Sequence, residues 1–300
     1  MQPFVFVQEM VELEGVFTVL LMHNKFLDSA RIVKQFLRKY PGAAEIYSMK
    51  GRLLRVHGRV AEGDSLMWKA IEQRAEEISL YYPNADFEKR MLMFSTVLFL
   101  GGRANMFVPM GQLQIQTLLE HGLQPHHKVL DVGCGCFRAG HLLIPFLDSN
   151  NYYGIEPYRL RVDFGLEHVL GDAERTKNPT IGLHTDFSFS IFETQFDFVL
   201  ARSVWTHASR NQILVMLDEF HRTTTVNGVF LTSYVQADSN ESAYKESKWL
   251  GRSEASEQGG YAFHSLEWIV EVAAKRGLLV EELTTNIVKG QVWLKITHQS

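Results

Sequence analysis

Val129-Leu-Asp-Val-Gly-Cys-Gly-Cys-Phe-Arg-Ala-Gly140 is the stretch whose reading decides the fold. An apolar run with β-branched residues stops at Gly133, and Gly135 follows before apolar residues resume. The pattern is a strand that enters a glycine-rich loop and then a helix. Outward from it the same alternation continues. Strands are expected at His127 to Asp131, Tyr152 to Glu156, Ile181 to His184, Phe196 to Ala201, Val229 to Val235, Leu278 to Leu283 and Gln291 to Ile296. Between them Ile213, Leu214, Leu217, Phe220 and His221 keep helical spacing. Leu266, Ile269, Val270 and Ala273 do so ahead of a basic turn and Gly277, a C-cap signature. Strands alternating with helices predict an α/β domain: a Rossmann-like, seven-stranded, mainly parallel sheet with helices on both faces.

Upstream the pattern changes. Residues 9 to about 78 are rich in long helix formers, with breaks at Tyr40-Pro41-Gly42 and around His57-Gly58, which predicts two helical hairpins. The turn-rich Tyr81-Tyr82-Pro83-Asn84-Ala85-Asp86 marks the expected boundary, giving an all-helical region over 1–85 and an α/β domain over 86–300. Offset by about 34 residues, the stretch Phe26 to Pro41 matches Val60 to Ala75, with Gly51, Gly63 and Ala70 at small-residue positions. This resembles a pair of degenerate tetratricopeptide units. An ordinary helical extension is the equal alternative, because two units are fewer than a solenoid needs.

Composition narrows the partners. Thirty basic residues face 34 acidic ones, for a net charge of -4, so no overall field favours nucleic acid or an anionic membrane. The N-terminus lacks the basic region and cleavage site of a signal peptide, and no apolar run reaches membrane-spanning length, which leaves a cytoplasmic address as the expectation. Cys134 and Cys136 are the only cysteines and stand two apart in the glycine loop. They supply neither a disulfide framework nor a metal set, and read as reduced small fillers.

A ligand of a doubly wound sheet binds outside the carboxyl ends of the strands, where the loop after the first strand carries the glycines. Without a Cβ, Gly133 and Gly135 permit a tight turn and a close backbone approach. Arg138 stands where G-x-G-x-x-G requires its third glycine, with Gly140 the next, which disfavours a pyrophosphate ligand and a nicotinamide-dependent oxidoreductase.

Val129-Leu-Asp-Val-Gly-Cys-Gly135, Tyr153-Gly-Ile-Glu-Pro157 and Phe196-Asp-Phe-Val-Leu-Ala-Arg-Ser-Val-Trp-Thr-His207 together resemble, in order and spacing, successive motifs of class I S-adenosylmethionine-dependent methyltransferases. The resemblance runs from about Leu100 to the end. It implies S-adenosyl-L-methionine as cofactor, with Asp131, Gly133, Cys134 and Gly135 lining it from the first motif and Glu156 and Pro157 from the second. Glu156 would accept hydrogen bonds from the ribose hydroxyls, a task suited to paired carboxylate oxygens; the alternative is a surface acid at a strand end. Asp186 takes the place of the adenine-contacting residue with Phe187 beside the ring, or else Asp186 caps a turn. Ala201 and Arg202 would line the pocket, and Arg103, after Gly101-Gly102, would pair with the methionine carboxylate or stand solvated. The loop departs from the family at Cys136, Phe137 and Arg138, which adds bulk where a small polar residue and a glycine are usual.

Methyl transfer from a sulfonium asks the protein to align the acceptor and exclude water. His207, just past the fourth strand, is a candidate base, and the alternative is a histidine that caps a helix or packs beneath the cofactor. His264 is a second candidate. It follows a polar segment, 236–258, that reads as a substrate lid or as a disordered insertion. No Asn/Asp-Pro-Pro-Tyr/Phe motif follows the fourth strand; Ala201-Arg202-Ser203-Val204 stands there. That disfavours base-amino and amide acceptors, so the expected acceptor is a small molecule or glycan-like compound bearing a hydroxyl, with no nucleic-acid partner. The N-terminal helices are expected to recruit a protein partner or a second copy. The competing reading is a non-catalytic scaffold with a degenerate methyltransferase domain.

Overall fold

The computed structural model describes residues 16–17, 20–21, 25–40, 42–101, 104–237, 262–288 and 290–299. Arg103 and most of the expected lid segment lie outside the described residues. The chain divides into two compact units between Val108 and Pro109, so the turn at Tyr81–Asp86 lies inside the first of them.

The first unit contains helices α1 (Phe26–Lys39), α2 (Ala44–Val56), α3 (Val60–Tyr81) and α4 (Phe87–Phe94). The breaks fall where glycine is needed: Gly42 and Gly58 have φ of 95° and 79°, a left-handed conformation that costs glycine little. Asp86 caps α4, its carboxylate accepting from Lys89 N at 2.8 Å. The hairpin of α2 and α3 closes through glycine. A Cβ at Gly51 would stand 2.5 Å from the Gly63 carbonyl oxygen, and one at Gly63 2.6 Å from that of Gly51, so the two backbones touch. Along the same contact the buried Arg74 of α3 pairs with the buried Glu45 of α2 and, at 3.1 Å, with Glu77. Ahead of α1, Phe17 and Leu21 pack with Val33 and Met49.

The second unit begins within α5 (Phe107–Glu120) and then alternates β1 (Val129–Val132), α6 (Gly140–Phe146), β2 (Tyr152–Ile155), α7 (Arg159–Phe164), α8 (Asp172–Thr176), β3 (Thr180–Gly182), β4 (Phe196–Ala201), α9 (Arg210–Thr223), β5 (Thr224–Tyr234), α10 (Leu266–Ala274), β6 (Leu278–Val288) and β7 (Gln291–His298). One seven-stranded sheet results, in the order β3-β2-β1-β4-β5-β7-β6. β1 pairs in parallel with β2 and β4, and β7 is antiparallel to both β5 and β6, so it runs opposite to the other strands of the sheet. The expected α/β sheet is therefore present, with β5 and β6 longer than their apolar runs suggested.

Side chains alternate across β1. Leu130 and Val132 enter a core with Ile213, Leu217 and Phe220 of α9 and Ile269 of α10. Asp131 points to the other face, where Tyr152 meets it and Phe137 and Leu143 are buried. All four residues of β1 are buried, so the loop that follows is carried by the most enclosed strand. The order reverses beside β1, with β2 and β4 on its two sides, which makes its carboxyl end the switch point where such sheets take ligands.

Helix propensity alone favours alanine over glycine by about 1 kcal/mol, but at Gly51 the added methyl overlaps a carbonyl of the facing helix. Gly51→Ala is expected to destabilise the protein by about 1–3 kcal/mol, measured by urea denaturation; a stabilised variant would refute the helix contact.

Candidate functional site

The loop from Gly133 to Ala139 owes its shape to three left-handed residues and to what packs beneath them. Gly133 and Gly135 have φ of 73° and 58°, and Phe137 has 61°. For a bulky residue this is strained. The compensation is burial: the Phe137 ring is 0% exposed and lies in a slot between two glycines. A Cβ at Gly140 would come within 2.9 Å of it and one at Gly165 within 2.3 Å. Gly111 of α5 meets the same loop, its missing Cβ 2.4 Å from the Arg138 carbonyl oxygen, and Gly154 of β2 makes room for the Cys134 thiol. The bulk at Cys136-Phe137-Arg138, a departure from the family's pattern, is thus accommodated. Sequence reasoning missed Gly111, Gly154 and Gly165; their signal was glycine inside otherwise regular elements, which implies a close approach.

The upper side of the loop is open. A Cβ at Gly135 would meet no heavy atom nearer than the Gly133 oxygen at 4.0 Å, and one at Gly133 would reach Val204, just past β4, at 3.0 Å. Across the switch point Glu156 follows β2, 4% exposed. Its Oε2 accepts from Gly135 N at 3.2 Å, its Oε1 from Tyr158 N at 3.0 Å, and Arg161 stands 3.7 Å away. Gly133 N and Cys134 N donate to the Ile155 carbonyl at 2.8 and 3.1 Å. Asp131, Gly133, Cys134, Gly135 and Glu156 are thereby brought together, with Pro157 exposed beside them. Both thiols are free and buried, and burial pushes Cys136 up to about 11 and Cys134 well above its ordinary value, so neither is a nucleophile at neutral pH.

Past β3, Asp186 is exposed and turns back on its own loop. It accepts from Ser188 N at 3.1 Å and meets His184 Nδ1 at 2.6 Å, and these bonds, the Ser188 amide foremost, lower its carboxyl despite some desolvation. Phe187 is also left-handed, with φ of 57°, and its ring joins the core cluster.

Past β4, Ala201 is fully buried. The Arg202 guanidinium stacks on Trp293 at 5.1 Å and donates to Ser233 Oγ at 2.7 Å and Ser203 Oγ at 3.1 Å. Ser203, left-handed at φ 62°, donates through its hydroxyl to Gln291 Oε1 at 2.8 Å and through its amide to Ser233 Oγ. This network ties the carboxyl ends of β4 and β5 to the start of β7. His207 ends the 3-10 turn Trp205–His207 on the same rim.

His264 is a fully buried member of the scaffold under that rim. Its Nε2–H donates to the carbonyls of Ala208 at 2.9 Å and Trp205 at 3.1 Å, its ring stacks on Trp268, and its backbone bridges Gln236. Ala262 N adds a bond to Thr206 O at 2.7 Å. The segment after β5 thus clamps the turn that carries His207. Burial lowers the imidazole to about 4, so it is neutral at neutral pH.

No family model matches the chain. Among solved structures it is similar to a DhpI complex with SAH, at 14% identity, covering 71% of this chain and 93% of that one with a TM-score of 0.47. It is similar to magnesium protoporphyrin IX methyltransferase from Synechocystis with bound SAH, at 14% identity, 66% and 88% coverage and a TM-score of 0.47. A third is a TehB-like SAM-dependent methyltransferase from Corynebacterium glutamicum, at 16% identity, 76% and 96% coverage and a TM-score of 0.42. The likeness concerns the fold alone.

His264 gives the structure an acid-sensitive point. Its folded value lies below the ordinary 6.5, so its contribution is whole above that pH and is lost as pH falls toward about 4, where the unfolded chain takes up the proton first. In urea denaturation the stability gap between wild type and His264→Gln is expected to narrow by about 2 kcal/mol between about pH 7 and about pH 5. A constant gap would show that the imidazole is not held neutral.

Proposed function

We propose that the α/β unit is an S-adenosyl-L-methionine-dependent methyltransferase acting on the hydroxyl of a small-molecule or glycan-like acceptor. The observation that carries this reading is the pairing of the Gly133–Gly135 turn with the buried, pre-anchored carboxylate of Glu156 at the switch point of the sheet. The residues fit the group. The open face of Gly135 leaves backbone room that a side chain would fill, and Glu156 offers two oxygens already oriented by Gly135 N and Tyr158 N. A carboxylate so fixed suits a vicinal diol, because both hydroxyls find an acceptor with little reorganisation.

When bound, the cofactor supplies a methyl group on a sulfonium, and the chemistry of displacement is its own. The chain's residues orient and enclose. Gly133 and Gly135 admit the methionine end, Glu156 and Pro157 border the ribose, and Asp186 and Phe187 border the adenine side. Ala201 lies on the floor. Arg202, drawn toward β5 and β7, shapes the acceptor side of the rim. His207 is the base for an acceptor hydroxyl, and His264 positions the turn that presents it. A cytoplasmic setting belongs to the same proposal. No described helix is long and apolar enough to cross a membrane. The helical unit, with its tetratricopeptide-like spacing, is proposed to take a protein partner or a second copy.

Calorimetric titration with S-adenosylmethionine and S-adenosylhomocysteine tests the reading. Both are expected to bind, and Glu156→Ala to weaken both about 10- to 100-fold, the loss of charge-assisted hydrogen bonds from a buried carboxylate. Binding of neither by the folded chain would favour the non-catalytic scaffold, and binding of a reduced nicotinamide instead would favour an oxidoreductase.

A further inference from the structure

Beneath the glycine loop lies a carboxyl group that the ribose contact does not use. Asp131, in the buried central strand, is 4% exposed, and among the described residues its hydrogen-bond partner is Tyr152, whose Oη donates to Oδ2 at 2.8 Å. The groups that face it are Tyr152 from within β2, Glu156 from that strand's end and Cys134 from the loop, while β4 on its other side sets Leu200 opposite. The cations nearby are directed elsewhere: Arg161 stands by Glu156 and acts, with Arg138, on Cys136. Among the described residues no Lys, Arg or His forms an ion pair with Asp131.

A buried carboxylate with no cation beside it and a second carboxylate nearby is costly to ionise, and the cheaper state is the neutral acid. Burial, and after it the Glu156 charge, push this carboxyl up to about 7 against the pull of the Tyr152 hydrogen bond. A positive charge brought to the loop above reverses the preference. S-adenosylmethionine carries a sulfonium and an ammonium against one carboxylate and is a net cation, whereas S-adenosylhomocysteine has lost the sulfonium charge and is net neutral.

We propose that Asp131 is a charge-sensing residue of the cofactor site, protonated beneath a loop that bears no cation and ionised beneath one that does, so that it favours S-adenosylmethionine over S-adenosylhomocysteine. The inference rests on the methyltransferase reading and deepens it. The step is a single proton transfer: the O–H bond of the Asp131 carboxyl breaks, its electron pair stays on the oxygen, and the proton passes to the solvent buffer. Methyl transfer removes the sulfonium, the carboxyl takes its proton back, and the product is held less tightly.

The test is calorimetric titration of the full chain with each compound from about pH 6 to about pH 8, in two buffers of different ionisation enthalpy. Affinity for S-adenosylmethionine is expected to rise about tenfold over that range, with proton release at the acidic end, because below the carboxyl's own value binding must first expel the proton. S-adenosylhomocysteine is expected to show a flat profile. Asp131→Asn flattens the S-adenosylmethionine profile and abolishes its proton release. Tyr152→Phe keeps the carboxyl but removes the bond that lowers it, and so moves the rise to higher pH, which keeps the test open if Asp131→Asn does not fold. Identical pH profiles for the two compounds, or a rise that persists unchanged in both variants, would overturn the inference alone. Failure of both compounds to bind at any pH would overturn the methyltransferase reading and the inference with it.

Discussion

The turn after β1 depends on a ring in a slot. Gly133, Gly135 and Phe137 all take left-handed backbone, and the third does so against its own steric preference. The burial of the Phe137 ring between Gly140 and Gly165 holds it there, contributing on the order of 2 kcal/mol of apolar transfer, comparable with the strain of such a residue. With the ring seated, the Gly135 amide meets Glu156 and the Cys134 thiol lies against Gly154. Site geometry and core packing are here the same contact, and the glycines of three different elements serve one phenylalanine and one carbonyl.

Three of the non-glycine left-handed residues, Phe137, Phe187 and Ser203, lie past the carboxyl ends of β1, β3 and β4. Strain gathered at the ligand-binding edge of a sheet is characteristic of functional sites. Each strained residue is held from a different side: Phe137 by its slot, Phe187 by the core cluster, and Ser203 by the hydroxyl and amide network of Arg202, Ser233 and Gln291. The antiparallel β7 matters for the last of these, because its direction delivers Gln291 and Trp293 to the edge where β5 ends. Below the same edge the two buried acids divide the electrostatics. Glu156 is bound by amides and Arg161, while Asp131 has a tyrosine hydroxyl. Burial raises the Asp131 carboxyl, and the tyrosine bond offsets only part of that rise.

Glycine also organises the helical unit, where Gly51 and Gly63 bring α2 and α3 into backbone contact and leave room for the enclosed Arg74–Glu45 pair. Such a pair is a weak source of net stability, and breaking it by removing one partner is costly because it strands the other charge.

Period and punctuation in the sequence determined the alternation of strands and helices, the breaks at Gly42 and Gly58, the glycine loop, and the acid that follows β2. Each depends on residues near in the chain and on backbone rules that act locally. Strand ends were less legible: β5 begins at Thr224 and β6 runs on to Val288, because pairing with β4 and β7 extends strands through residues of little intrinsic preference. The break between units, at Val108 rather than at the Tyr81–Asp86 turn, belongs to packing and not to composition. The histidines divide in the same way. Position in the chain marks both His207, just past the fourth strand, and His264, after the polar segment, but only the fold buries the second under Trp205 and Ala208, some sixty residues distant in the chain. Nothing local separates a buried imidazole from a solvated one, or Asp131 from Glu156. Burial and partner charge decide those cases, and both are properties of residues that only the tertiary structure brings together.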